Sequence, residues 1–280
     1  MVRVFNAHNI LKEARMRNAI LAAGLGLAGL ILAGCVPDNG PAKAELKSGY
    51  DALDRQDYDG ALVDADRFLQ HTPNGPGSAE AHYLQGRVYE QRAQDGGSNS
   101  DAAKANLDAA RTAYTSGLTV AAAPKVLALL HAGLANIAYH LDDYGTAVRE
   151  WQVSYGAIEP IEAKAWVLYR IGVCQQRLGW FAEADRSFGL VRANFPGTEP
   201  AQRASQHEGA TGFYVQVGAY KDFANANRSV SSLKTQGLNA EVVAEPTEEI
   251  VRVGPVPNFA EARSLQIRLI KGYPDSVVVP

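Results

Sequence analysis

Residues 214–226 read YVQVGAYKDFANA and residues 250–262 read IVRVGPVPNFAEA, so one pattern occurs twice in this 280-residue chain. In each copy, alternating valines predict a strand, and a capping Asp222 or Asn258 followed by Phe and Ala at helical spacing predicts a helix. The segments NAEVVA and DSVVV supply two further strands. The C-terminal region is therefore predicted to be a split βαβ-βαβ domain, a ferredoxin-like sheet with two helices on one side.

Strand alternation predicts which side chains face away from the helices. One set contains the valines at 215, 217, 251 and 253, which must meet the helices. The other set contains Tyr214, Gln216 and Gly218 with Ile250, Arg252 and Gly254. An amide beside a guanidinium suits hydrogen bonding to a neutral, hydroxyl-rich ligand, and Tyr214 offers an apolar platform. The alternative is that these residues form only the hydrated side of an amphipathic sheet.

The paired VQVG and VRVGP motifs, each followed by Phe-x-x-Ala, are similar to those of the SPOR domain over residues 212–279. This resemblance implies binding of peptidoglycan, with a preference for glycan strands that lack stem peptides. It assigns Tyr214, Gln216, Ala219, Ile250 and Arg252 to the glycan-binding face. The family often has Ser at the position of Ala219 and an aromatic residue at that of Ile250, so the resemblance implies reduced affinity here.

Two triples of small residues and proline mark the region before this domain. Gly49, Ala61 and Pro73 share one spacing with Gly172, Ala184 and Pro196. This spacing resembles the landmarks of tetratricopeptide repeats, in which small residues let two helices approach closely and proline ends the second helix. Weaker copies surround Gly86 and Tyr89, and also Ala135, Ala147 and Trp151. About four repeats are predicted, which implies a groove for a protein partner; an irregular helical bundle is the alternative.

The N-terminal segment reads as an export signal. Residues 19–32 carry no charge and follow Arg15 and Arg17, as in a signal peptide. The sequence LAGC at 32–35 resembles the lipobox of bacterial lipoproteins, which implies cleavage before Cys35 and acylation of its thiol and new amino group. Val36 favours the outer membrane by the same resemblance. Met16 is an alternative start, and a short signal anchor is the alternative to the lipobox.

Composition and charge exclude several classes of function. The net charge is −3, and residues 212–280 carry seven basic and seven acidic side chains, which argues against nucleic-acid binding. The histidines, His71, His82, His131, His140 and His207 among them, stand outside any metal-ligating or nucleophilic motif. We therefore expect no catalytic residues, no metal and no cofactor, and we expect Cys174 to be a buried helix residue.

These patterns together predict a multidomain protein, with all-α tetratricopeptide-like repeats followed by a small α+β domain. The expected boundaries are a signal peptide at 1–34, a lipidated tether at 35–43, repeats at 44–207, a linker at 208–211 and the SPOR-like domain at 212–280. The expected function is a lipid-anchored adaptor of the cell envelope, on the periplasmic face of the outer membrane. The alternative is a scaffold for outer-membrane assembly or division, in which the repeats act and the C-terminal domain has little glycan affinity.

Overall fold

Nine helices precede the first strand in the part of the chain that the computed structural model describes, which is residues 41–96 and 100–280. The helices are α1 (Pro41–Asp54), α2 (Tyr58–His71), α3 (Ser78–Asp95), α4 (Asp101–Leu118), α5 (Pro124–His140), α6 (Tyr144–Tyr155), α7 (Ile161–Arg177), α8 (Phe181–Asn194) and α9 (Glu199–His207). The described residues divide into two compact units between 167 and 168, inside α7.

The small-residue landmarks lie where neighbouring helices approach one another. A Cβ atom on Gly49 in α1 would lie 2.6 Å from a methyl carbon of Leu84, and one on Gly172 in α7 would lie 2.6 Å from the ring of Phe188 in α8. Ala61 and Ala184 are fully buried. The helical repeats predicted from this spacing are confirmed, since glycine alone leaves room for these contacts.

Tyr114 of α4 is the central packing residue of the second and third helix pairs. Its ring is fully buried, and it lies against Gly86 of α3 and Gly133 of α5, where an added Cβ would come within 2.2 and 2.5 Å of the ring. Its hydroxyl donates a hydrogen bond to the carboxylate of Glu90. The aromatic ring thus occupies the space that two glycines leave open on either side of it.

The helices begin at side chains that satisfy their first free amide groups. Asp57 accepts from the amide of Gly60 at the start of α2, and Asp143 accepts from Thr146 at the start of α6. Ser100 caps α4 in the same way, and Thr198 caps α9. Each cap of this kind stabilises a helix by about 1 kcal/mol, and together they fix where the repeat helices begin.

A four-stranded antiparallel sheet forms the C-terminal part. Its strands are β1 (Phe213–Tyr220), β2 (Ala240–Ala244), β3 (Glu249–Val256) and β4 (Val277–Val279), in the order β2-β3-β1-β4. Helices α10 (Phe223–Thr235) and α11 (Phe259–Leu269) pack on one face, where Val215, Val251 and Val253 meet Leu233 and Leu265. The predicted ferredoxin-like α+β fold is confirmed, including Asp222 and Asn258 as helix caps.

The register of β1 against β3 is irregular at two places, between Phe213 and Val215 and between Gln216 and Gly218. Gln216 pairs with Arg252, but Gly218 pairs with Val251, so Val217 is an extra residue between two ladder positions. Val215 and Val217 both belong to the helix-covered core, and Gly218 lies opposite a core valine rather than on the open side. The predicted face of Gly218 is therefore wrong, because a β-bulge shifts the alternation by one residue.

Within residues 168–280, the last helix pair packs directly on the sheet domain. Phe213 of β1 is 3% exposed and lies between the rings of Phe181 and Phe259, with ring centroids 5.7 Å from each. The guanidinium of Arg177 lies 4.6 Å from the centroid of the Phe259 ring. These contacts join α7 and α8 to β1 and α11 through an aromatic cluster.

The chain between α9 and β1 is also tied to the helices. Glu208 forms an ion pair with Arg192, and the amide of Gly209 donates to the carboxylate of Asp185 at 3.0 Å. His207 is hydrogen-bonded to Gln176 on α7. The segment predicted to be a linker therefore follows the surface of the last helix pair.

Candidate functional site

The side of the sheet that faces away from α10 and α11 carries the residues predicted to bind glycan. Residues paired across a ladder share a face, so the pairings identify its members. We call this set the open face: Tyr214, Gln216, Ala219, Glu241, Val243, Ile250, Arg252, Val277 and Val279. Gln216 lies between Arg252 on β3 and Val277 on β4, at the centre of the sheet.

Arg252 is held from two directions on the open face. Its Nε and Nη2 atoms both lie 2.7 Å from Oε1 of Glu241 on the neighbouring strand β2. Its Cζ atom lies 3.8 Å from the centroid of the Tyr214 ring, so the guanidinium stacks on the aromatic face. The side chain is therefore oriented before any ligand arrives.

Glycine at position 254 makes room for the Tyr214 ring. Gly254 has a φ of +148°, and a Cβ atom there would lie 2.9 Å from Cδ1 of Tyr214 and 2.8 Å from the carbonyl oxygen of Phe213. Its amide donates to the carbonyl oxygen of Asn239 at 2.9 Å. The glycine of the VRVGP motif thus leaves room for the tyrosine ring beside Arg252.

The five predicted site residues differ in how much surface they offer. Tyr214 and Arg252 are half-buried and adjacent, while Ala219 is exposed toward the end of β1. Gln216 is 7% exposed and Ile250 is 5% exposed. Tyr214, Gln216 and Arg252 form one contiguous group, whereas Ala219 and Ile250 pair with each other further along the strands.

Residues 209–280 match the SPOR domain family model. The SPOR match supports peptidoglycan binding by this part of the chain, and the family consists of binding modules rather than enzymes. Eleven chains of solved structures are similar to this protein. One is the crystal structure of the MamA protein, 16% identical, which covers 59% of this chain and 81% of its own with a TM-score of 0.44. A search of curated proteins gives no match.

Glu241 is a residue of the open face that the sequence-based prediction missed. It lies on β2, where Ala240 is buried in the core and Glu241 faces the other way. The alternation in AEVVA indicates this orientation, but only the strand order shows that β2 borders β3. The carboxylate therefore adds a negative charge directly beside the one cation of the open face.

A second group of polar side chains lies along one face of α3 and is largely buried. Its members are Glu80, Tyr83, Arg87 and Glu90. Arg87 donates to the hydroxyl of Tyr83 at 3.2 Å and lies 4.0 Å from the carboxylate of Glu90. Glu80 is only 4% exposed, and within the described residues its Oε2 atom has no hydrogen-bond partner. Burial raises the pKa of the Glu80 carboxyl from 4.5 to about 7.

This buried carboxyl predicts a pH dependence of stability. Between pH 4.5 and 7 the folded protein keeps a proton on Glu80 that the unfolded chain releases, so the free energy of unfolding should fall as pH rises, by up to about 3 kcal/mol. Urea denaturation across this range should show the decline in the wild type and its loss in Glu80→Gln. Glu162→Gln, at an exposed position of α7, should keep it. An unchanged pH profile in Glu80→Gln would contradict the assignment.

The remaining candidates lie in structural positions. Cys174 is fully buried in α7, and burial raises the pKa of its thiol to about 12. Within residues 41–96 and 100–280, no group of three or more His, Cys, Asp or Glu is arranged to hold a metal ion. The same residues include no helix long and apolar enough to span a membrane. Cys35, the predicted lipidation site, lies outside the described residues.

Proposed function

We propose that this protein is a lipid-anchored adaptor of the cell envelope. Its SPOR domain binds the glycan strands of peptidoglycan, and its helical repeats bind a protein partner. The observation that carries the proposal is the contiguous group of Tyr214, Gln216 and Arg252 on the helix-free face of a domain that matches the SPOR family.

The chemistry of the open face suits an amino-sugar chain. A sugar ring presents an apolar face of C–H groups and an edge of hydroxyl and amide groups, and it needs both kinds of contact. Tyr214 and Val277 supply apolar surface, and Arg252 supplies hydrogen-bonding groups. Gln216 lies between Arg252 and Val277 with 7% of its surface exposed.

The repeat region supports the second part of the proposal. Stacked helix pairs form extended surfaces that proteins of this architecture use to bind other proteins. The expected partner is an envelope protein.

The membrane anchor is the part of the proposal that depends on sequence alone. The lipobox-like LAGC at 32–35 supports cleavage before Cys35, and two or more acyl chains would hold the protein stably. The proposed location is the periplasmic face of the outer membrane, with the tether at 35–43 leading into the repeats. The SPOR domain would then reach the cell wall from that membrane.

Sedimentation with cell-wall sacculi tests the glycan assignment. The full chain should sediment with sacculi from which partial amidase digestion has removed some of the stem peptides. The double variant Gln216→Ala plus Arg252→Ala should lose at least about tenfold in affinity, since it removes two hydrogen-bonding side chains, one of them the cation stacked on Tyr214. Sedimentation that is unaffected by the double substitution would contradict the assignment of glycan binding to the open face.

The alternative proposal is a scaffold for outer-membrane assembly or division, in which the repeats act alone. Two observations favour it: Ile250 is nearly buried, and Arg252 is already engaged by Glu241. The same sedimentation assay separates the two proposals, because the scaffold predicts that the wild-type chain does not bind sacculi.

A further inference from the structure

The charges of the open face are balanced within the protein. Among the residues that define this face, Arg252 and Glu241 are the two charged members, and they pair with each other. Two nitrogen atoms of Arg252 approach the same carboxylate oxygen of Glu241 at 2.7 Å. The formal charge of the face is therefore zero, although it contains a guanidinium.

The pair is also partly shielded from solvent. The Arg252 side chain is 23% exposed and lies against the Tyr214 ring, while the Glu241 side chain is 48% exposed. Water and salt therefore screen the pair somewhat less than they screen a fully exposed one. An anionic ligand that bound Arg252 would have to displace Glu241 or accept its repulsion. A neutral ligand would meet no such cost and would still find N–H donors and an aromatic surface.

We infer that Glu241 is a specificity-determining residue of the open face, which keeps Arg252 from binding anionic groups and so favours contacts with the uncharged groups of an amino-sugar chain. The inference rests on the proposed glycan-binding function and names the ligand chemistry of that site. Glycan strands without stem peptides carry a lactyl carboxylate on each muramic acid. Glu241 would direct recognition to the hydroxyl and N-acetyl groups of the strand rather than to those carboxylates.

Salt dependence and polyanion binding test this inference on the full chain. Wild-type binding to amidase-treated sacculi should change less than about twofold between 50 and 300 mM NaCl, because few counterions are released when a neutral face binds. Glu241→Gln leaves Arg252 uncompensated. That variant should gain about three- to tenfold in affinity for heparin at 50 mM NaCl and should lose the gain as salt rises.

Two further variants test whether the gain in heparin affinity depends on the Glu241–Arg252 pair. Asp275→Asn removes the same charge from an exposed position of the SPOR domain and should leave heparin binding at the wild-type level. Adding Arg252→Gln to Glu241→Gln should abolish the gain, because the cation itself is then gone. A gain that persists in this double variant would show that another cation binds heparin.

The outcomes separate the inference from the proposed function. Equal heparin affinity in the wild type, Glu241→Gln and Asp275→Asn would overturn the role of Glu241, as would sacculus binding by the wild type that is already strongly salt-dependent. If the wild type fails to bind sacculi while Glu241→Gln still gains heparin affinity, the glycan function fails and the charge-balancing role stands.

Discussion

Replacing Tyr114 by alanine is expected to lower the free energy of unfolding of the repeat region by about 4 kcal/mol, the middle of the range for aromatic truncations in a core. The ring is fully buried and lies between Gly86 and Gly133, neither of which has a side chain that could fill the space left behind. Urea denaturation of the full chain, followed by circular dichroism, measures the change.

Phenylalanine at the same position is the matched control. Tyr114→Phe keeps the ring between the two glycines and removes only the hydrogen bond to Glu90, so it should cost about 1 kcal/mol. A similar loss in both variants would show that the hydrogen bond dominates. A loss below about 1 kcal/mol for Tyr114→Ala would contradict the packing role assigned to the ring.

Replacing Gly179 by alanine is expected to destabilise residues 168–280 by about 3 kcal/mol, through backbone strain and a steric clash. Gly179 follows α7 with a φ of +84°, a conformation that L-residues rarely adopt. An added Cβ would also lie 2.6 Å from the carbonyl oxygen of Pro257, just before the cap of α11. Because this neighbour is backbone, it cannot move aside as a flexible side chain would.

Gly197→Ala separates these two contributions. Gly197 has a φ of +79°, and an added Cβ would meet nothing within 4 Å, so its replacement should cost about 1 kcal/mol from backbone conformation alone. The difference between the variants, measured by urea denaturation, reports the contact between the α7–α8 turn and the loop before α11. Equal losses would indicate that this contact contributes nothing to stability.

The features that sequence predicted well are those set by local patterns. Gly49 and Gly172 mark close helix contacts because only glycine fits there, and that constraint is visible as spacing along the chain. The duplicated motif around Val215 and Val251 likewise specifies two strand–helix units. Such signals depend on residues near one another in sequence, so they can be read without knowing the tertiary fold.

The features that sequence missed depend on register and on long-range packing. The bulge at Val217 moves Gly218 to the core side, and no residue type in the motif requires it. Glu241 meets Arg252 only because β2 lies beside β3. The cluster of Phe181, Phe213 and Phe259 joins segments that are far apart in the chain. Periodicity indicates which residues are apolar, and the tertiary fold decides which of them meet.

The most direct test of the glycan-binding claim is to locate the ligand on the protein. Amide and side-chain resonances of the full chain should be followed by NMR while amidase-released glycan oligosaccharides are added. The proposal predicts that the largest shifts lie at Tyr214, Gln216 and Arg252, with little change in α10 and α11. Shifts confined to the two helices, or to the repeats, would contradict it.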